Sequence, residues 1–420
     1  MTGVEREVVV VGAGPAGISA ACAVAETGRS ALVIDDNPSP GGQIWCEQDR
    51  HGSNWKAVHW LQRLRLHHVE LLSGATVIDG DPARRAIVCE TVDSVSVIRY
   101  KKLILATGAR ELFLPFPGWT LPNVMGAGGL QALVKSGMPI SGKRVIVAGS
   151  GPLLLAVGAY LKKQGAHVLA IAEQTSWPRL ARFGLGLVKQ PYKLAEALQL
   201  KRDLLRVPYR AGAWVEAALG ERALERVRLR IAHHHWEAPC DYLAVGYGLV
   251  PNVELPVSLG CKLSGGFVQV DSMQQTSAPD ILCAGEPTGI GGVELALMEG
   301  RIAGFSAAGD RLNAQWLCND RERLRRFARR LQRAFALREE LRHLPSEDTL
   351  ICRCEDVDYK RIAATAGWRA ARLHTRCGMG PCQGRVCGPA AEFLFGWNCQ
   401  SARPPVFPAR IDSLIRHVEN

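Results

Sequence analysis

The stretch VVVVGAGPAGISAA, residues 8–21, sets a β-branched apolar run directly against three glycines and a string of small residues. Residues 7–11 read as a strand by length and branching, and residues 18–26 as a helix. Between them Gly12 permits a tight turn, Gly14 lets the backbone approach a pyrophosphate, and Gly17 lets the helix pack closely. The N–H groups at the helix start and the helix dipole favour a phosphate there. A second strand, residues 31–34, leads to Asp35, which follows Gly12 by 23 residues, where a carboxylate can accept from ribose hydroxyls. This βαβ pattern predicts a dinucleotide site with Gly12, Gly14, Pro15, Ala16, Gly17, Asp35 and Asp36 around it. The alternative is a turn that keeps the shape without the ligand.

The pattern restarts further on. Residues 143–148 read as a strand, 149–151 as a turn, 152–164 as a helix and 167–172 as a strand, so Gly149 repeats Gly12 at a distance of 137 residues. Gly149 and Gly151 are present, but Leu154 stands where a third glycine is expected. Glu173, 24 residues after Gly149, is the expected ribose acid. This second unit either binds NAD(P) or keeps the fold without the ligand. Residues 177–213 form a basic, partly helical excursion, strands resume at 224–232, 241–245, 265–270 and 280–284, and a helix covers 294–308. A charged amphipathic helix is expected over residues 321–342, before the cysteine-rich end.

At 420 residues the chain has room for two or three domains, and 47% hydrophobic with 22% charged residues is globular composition. The net charge of +11 comes with no nucleic-acid motif, so an acidic partner or solubility accounts for it better. The polar opening predicts no signal peptide, and no apolar run reaches the roughly 18 residues of a membrane span. The expected location is the cytoplasm, with membrane association through partners or an electron acceptor as the alternative. Thirteen cysteines in such a chain point to burial, metal binding or redox chemistry rather than a disulfide framework. Cys22, Cys89, Cys240, Cys261, Cys283 and Cys318 are expected as core thiols. His233, His234 and His235 alternate faces in a strand and are expected on the surface. No acid–base pair or triad stands out.

Five cysteines crowd into residues 352–387, which include CRC at 352–354 and CGMGPCQGRVC at 377–387. Two close pairs separated by a helix-length segment can converge on one [2Fe–2S] centre, each iron taking two thiolates. Gly378, Gly380 and Gly384 let backbone N–H groups approach the sulfurs. Zinc and plain core cysteines are the alternatives.

GAGPAG, IDDNPSPGGQIW (34–45), LILATGAR (103–110) and DILCAGEPTGIGG (280–292) together resemble the two-dinucleotide-domain flavoproteins. The resemblance implies an α/β fold of two Rossmann-like units, the first binding FAD. It implies further contacts from Gly42 and Gln43 beside the flavin ring, from Ala106, Thr107 and Gly108, and from a closing segment with Gly285, Glu286 and Gly292. The family has Gly-Asp where this chain has Gly285-Glu286. This chain also lacks the paired cysteines that disulfide reductases carry beside the flavin, since Cys46 stands alone there, so thiol–disulfide exchange is not expected.

The segment CRCEDV…RCGMGPCQGRVCG resembles the bacterioferritin-associated-ferredoxin type of [2Fe–2S] module. That implies Cys352, Cys354, Cys382 and Cys387 as ligands and Cys377 as a spare. The order of parts over residues 7–395 resembles the alpha subunits of heteromeric amino-acid and opine dehydrogenases, including octopine, nopaline and D-hydroxyproline dehydrogenases and hydrogen cyanide synthase B subunits. The implied domains are a discontinuous FAD domain at 1–115 and 256–312, an NAD(P)-like domain at 116–255, a helical linker at 313–345, the [2Fe–2S] domain at 346–396 and a tail at 397–420. The implied role is electron relay. A D-amino-acid-oxidase-like, FAD-containing beta subunit, with a small third subunit in some assemblies, oxidises a C–N bond, and a quinone or another acceptor takes the electrons. Related proline dehydrogenases imply two variations: ATP in place of FAD, and FMN at a subunit interface. A self-contained NAD(P)H-dependent reductase or oxidase and a nucleotide-binding structural subunit are the competing functions.

Overall fold

The valine run becomes the strand Glu5–Val11, paired in parallel with Ala31–Asp35 on one side and Val95–Leu105 on the other. The sheet runs Glu70–Ser73, Ala31–Asp35, Glu5–Val11, Val95–Leu105, Ala86–Glu90, Thr76–Asp81, and Ile281–Cys283 adds a parallel pairing to Val95–Leu105. Val8, Val9 and Val10 are buried whichever face they point to, as a parallel strand covered on both sides requires. This computed structural model describes residues 5–45, 54–188, 190–232, 234–399 and 402–418, so Cys46 and His233 fall outside the described residues. Its described residues divide into two compact units, one from Met1–Arg110, Pro251–Arg329 and Ser401–Asn420, the other from Glu111–Val250 and Arg330–Gln400.

In the first unit the small-residue helix Pro15–Glu26 lies against Val293–Ala307. A Cβ on Gly300 would stand 2.1 Å from the Ala16 carbonyl oxygen, and one on Gly304 2.3 Å from that of Ala20. The two glycines, four residues apart, therefore let the backbones touch. The closing helix thereby holds Gly285 beside Ala16, where its own Cβ would meet the alanine methyl at 2.8 Å.

The second unit repeats the plan. Its parallel sheet runs Tyr209–Ala211, His167–Glu173, Arg144–Gly149, Tyr242–Gly246, Val124–Gly126, with Leu153–Lys163 following the second glycine turn. An antiparallel sheet of Ala213–Leu219, Arg226–Ile231 and His234–Pro239 packs into the same core. The cysteine-bearing residues also belong to this unit. They form a hairpin, Leu350–Cys352 with Val357–Asp358, and the helices Tyr359–Ala363, Trp368–Thr375 and Cys387–Phe395 around Trp368. The Trp119 indole N–H donates to the Leu350 carbonyl at 2.6 Å and ties the hairpin to the rest of the unit.

The charged helix differs from expectation: it runs Arg311–Ala334, not 321–342. Its start is a capping signal, Gly309 in the left-handed region ending one helix and Asp310 accepting from the Asn313 N–H at 3.1 Å to begin the next. His234 and His235 are exposed, as a surface strand implies, with His235 Nδ1 2.7 Å from Glu216. The scattered thiols Cys22, Cys89, Cys240, Cys261 and Cys283 are buried, and burial pushes Cys89 up to about 12, whereas Cys318, expected with them in the core, is only half-buried. Among the described residues no helix is long and apolar enough to cross a membrane.

Candidate functional site

The first glycine turn opens onto a cleft lined by Gly14, Pro15, Ala106, Gly108, Gly285 and Glu286, with Ala16 and Val293 nearby. Gly12 has φ +103°, and its Cβ would meet the Ala106 carbonyl oxygen at 2.3 Å, so only glycine fits. Gly14 has nothing within 4 Å of where a Cβ would stand, and among the described residues no protein group takes its N–H. That opening at a helix N-terminus suits a phosphate group. Gly42, with φ +57°, brings residues 41–45 against the turn, its Cβ position 2.9 Å from the Gly14 Cα. Gln43 and Ile44 are exposed beside it. Thr107 is fixed by Asn252, donating to its carbonyl at 2.6 Å and accepting from its amide at 2.9 Å. The small, backbone-lined walls fit a dinucleotide.

Glu286 folds back on the start of the closing helix. Its carboxylate accepts from the N–H groups of Gly291 at 3.0 Å and Gly292 at 3.1 Å, while burial pushes it up to about 7. A carboxyl raised in the folded state binds more protons there than when unfolded, so stability falls as pH rises from about 4.5 to about 7. Discounting for its partial exposure, about 2 kcal/mol is expected from this group. Glu286→Gln should match the parent near pH 5 and exceed it by that amount at pH 8, measured as denaturation midpoints. Parallel pH profiles would show that Glu286 does not carry the effect.

Asp35 and Glu173 occupy equivalent strand ends, and both accept from backbone N–H groups. Asp35 is buried, accepting from the Ala13 N–H and, at 2.8 Å, from the Asn37 N–H. Asp36, next to it, is exposed. Glu173 is fully buried, accepting from the Thr175 N–H at 2.8 Å and the Gly151 N–H at 2.7 Å. Both acids tie their turn to the strand end. Glutamate's extra methylene carries its reach to Gly151, the counterpart of Gly14, whereas aspartate stops one residue short at Ala13. Gly149, at φ +140°, is required by the Gly246 carbonyl oxygen, 1.9 Å from its Cβ position.

The cysteines converge. The sulfurs of Cys352, Cys377 and Cys387 all lie within 4.8 Å of one another. Hydrogen bonds from Cys377 and Cys387 pull Cys352 down to about 2, and contacts led by Cys387 pull Cys382 down to about 5. Cys354 is exposed and touches Cys382. The five thiols thus form a chain from a buried end at Cys377 to a solvent-facing end at Cys354. The glycines shape the loop. Gly378 donates its N–H to Cys352 Sγ at 3.5 Å, and a Cβ on Gly380 would stand 2.5 Å from that of Cys354. A donor set of soft sulfurs suits iron–sulfur chemistry. Cys377, taken from the sequence as a spare, is placed inside the cluster.

Sequence reasoning missed the support behind the closing segment. Glu299 accepts from the Gly285 N–H at 3.1 Å and from Thr288 Oγ1 at 2.8 Å, and pairs with Arg325 at 2.7 Å. The available signal was a glutamate in the middle of the largely small and apolar helix Val293–Ala307, opposite an arginine-rich one. Lys102, Arg110 and Arg144 pair with Asp280, Glu254 and Asp241 at 2.7, 2.9 and 2.6 Å.

The sequence profile of the pyridine nucleotide-disulphide oxidoreductases matches residues 6–300. Hydrogen cyanide synthase subunit HcnB of Pseudomonas aeruginosa is 32% identical, over 90% of this chain and 90% of that protein. The A-type opine oxidase subunit of Rhizobium meliloti is 32% identical, over 98% and 99%. Among solved structures, L-proline dehydrogenase from P. horikoshii superposes with a TM-score of 0.70 over 98% of this chain and 79% of its own at 19% identity. Thioredoxin reductase from T. acidophilum gives 0.58 over 73% and 98% at 21%. These two establish the two-dinucleotide-domain fold. The chain belongs to the pyridine nucleotide-disulphide oxidoreductase family of redox enzymes, alongside HcnB and the A-type opine oxidase subunits.

Proposed function

We propose that this chain is the electron-relay subunit of a heteromeric amino-acid or opine dehydrogenase. A partner subunit oxidises a C–N bond, and the electrons leave through this chain toward a quinone or another acceptor. The observation that carries the reading is the thiol chain: cysteines from two separate stretches converge in a protein that also has an FAD-type cleft. The nearly full-length similarity to proteins named as subunits of hydrogen cyanide synthase and opine oxidase supports an assembly with a catalytic partner.

In this reading Gly12, Gly14, Pro15, Ala16, Gly17, Ala106, Gly285 and Gly292 form the cradle for FAD, with Gly42 and Gln43 at its edge. Asp35 and the exposed Asp36, whose Oδ1 accepts from the Asn37 amide at 3.0 Å, are the carboxylates at the strand end that would meet a ribose. Cys352, Cys354, Cys382 and Cys387 hold a [2Fe–2S] centre, and the exposed Cys354 end faces the redox partner. When bound, a flavin takes electrons in pairs and a [2Fe–2S] centre takes them singly, which is what a relay between such donors and acceptors needs. The protein supplies placement, N–H donors to sulfur and exclusion of water.

The test is composition. The chain is purified anaerobically with its native partners, the released nucleotide is identified by mass, and iron and acid-labile sulfide are counted. FAD with about two irons and two sulfides per chain is expected. ATP in place of flavin, or zinc in place of iron, would remove the relay and leave an architectural subunit.

A further inference from the structure

Residues 335–338 leave the long helix and cross the second glycine turn. Ser150 Oγ donates to the Phe335 carbonyl at 3.0 Å, and Gln174 Nε2 donates to the Ala336 carbonyl at 3.2 Å. The Arg338 N–H donates to Gln174 Oε1 at 3.2 Å, and Gln174 Nε2 also donates to Ser150 Oγ at 2.9 Å. The turn, the strand end and the crossing segment therefore share one network. Both ends of the segment are clamped: the Phe335 ring meets Phe183 at 5.4 Å, and the Arg338 guanidinium lies 4.6 Å over the Trp214 ring. Ser150, Gln174 and Thr175 are buried beneath it.

In a dinucleotide-binding unit the ligand lies beyond the carboxyl ends of the strands, its pyrophosphate on the turn and its ribose at the acid after the second strand. Those places correspond here to residues 149–151 and 173–174, where the segment now lies. Among the described residues most of the turn's donors are also engaged, the Leu153 N–H excepted. The Ser150 N–H goes to the Gly246 carbonyl at 2.7 Å, the Gly151 N–H to Glu173 at 2.7 Å, and the Leu154 N–H to the Gly151 carbonyl at 3.2 Å. Pro152 has no N–H to offer. The first turn shares the proline, and its Ala13 N–H is taken by Asp35, but it differs at Gly14, whose N–H is untaken among the described residues, and its cleft is open.

We infer that the second dinucleotide pocket is filled from within by residues 335–338, and that this chain accepts no electrons from NADH or NADPH. The pocket serves instead as a seat for the segment that leads into the cysteine-bearing residues. The filler lies beyond residues 6–300, the part that matches the family profile. The inference holds whether or not the relay reading does.

The test uses the intact chain with its native partners. Titration with NADH and with NADPH to millimolar concentration, followed by calorimetry, is expected to show no saturable binding. Hydrogen exchange gives an independent measure. The double variant Gln174→Ala, Arg338→Ala should exchange roughly tenfold faster over residues 335–340 and 150–154, the scale of one buried hydrogen bond lost. Its nucleotide content in the first cleft should stay at the parent level. Saturable binding of either nucleotide to the parent protein, with protection gained at residues 150–154, would overturn the inference. So would unchanged exchange in the double variant. If the variant does not fold, the titration of the parent still decides.

Discussion

Cys352→Ser is expected to reduce iron and acid-labile sulfide from about two of each per chain to background. Cys352 and Cys387 are the two thiols that belong both to the implied ligand set and to the converging trio. Cys352 is 1% exposed, lies within 4.8 Å of Cys377 and Cys387, and accepts an N–H from Gly378. A serine oxygen is a harder donor than a thiolate and a poor replacement for iron–sulfur chemistry. The companion substitution Cys377→Ser separates ligand from neighbour. Cys377 sits at the buried end of the chain, and its serine variant should keep the full iron and sulfide count. Reduced-protein electron paramagnetic resonance checks both, because it reads the centre independently of turnover. Loss of the centre in Cys377→Ser with retention in Cys354→Ser would exchange those two residues in the ligand set. Retention in Cys352→Ser would reject the cluster assignment.

What could be read from the sequence was whatever local chemistry determines. Four consecutive valines before Gly12 make a buried parallel strand almost regardless of context, and the glycine spacing specifies the turn. The repeat at Gly149 is legible for the same reason. The contact made by Glu173 was not. Its spacing from the turn resembles that of Asp35, and only the extra methylene and the fold decide that it takes the Gly151 N–H instead of facing a ribose. The crossing of residues 335–338 over Ser150 and Gln174 was beyond local reading too, because its partners lie 162–185 residues away. The helix boundary at Asp310 was a different kind of miss: the Gly309-Asp310 signal was present but outweighed by the arginine periodicity further on. For Cys377 the spacing gave two pairs, while the loop folding around Trp368, with Gly378 at φ +76°, brings the fifth thiol in.

Glu299→Ala is expected to cost about 3–5 kcal/mol, the range for breaking a buried ion pair by removing one partner. Glu299 is 1% exposed and each of its oxygens is engaged. One oxygen faces the Arg325 guanidinium at 2.7 and 2.8 Å, the other the Gly285 N–H and the Thr288 hydroxyl. Arg325 also reaches Gln274 Oε1 at 3.2 Å, and Gln274, fully buried, donates to the Cys283 carbonyl at 2.9 Å. Truncation therefore leaves Arg325 with only the more distant Glu322 carboxylate, at 3.7 Å, and a buried N–H without an acceptor, and it releases the segment that forms one wall of the first cleft. Two readouts should move together: the denaturation midpoint falls, and flavin retained after gel filtration drops. Burial lifts the Glu299 carboxyl above the ordinary carboxylate range even with Arg325 beside it. Shape and hydrogen bonding then account for much of its contribution, and Glu299→Gln, which keeps both without the charge, should cost clearly less than the alanine. An alanine variant with parental stability and full flavin would mean that the closing segment is held by the Gly300 and Gly304 packing alone. Equal losses in the two variants would assign the contribution to charge.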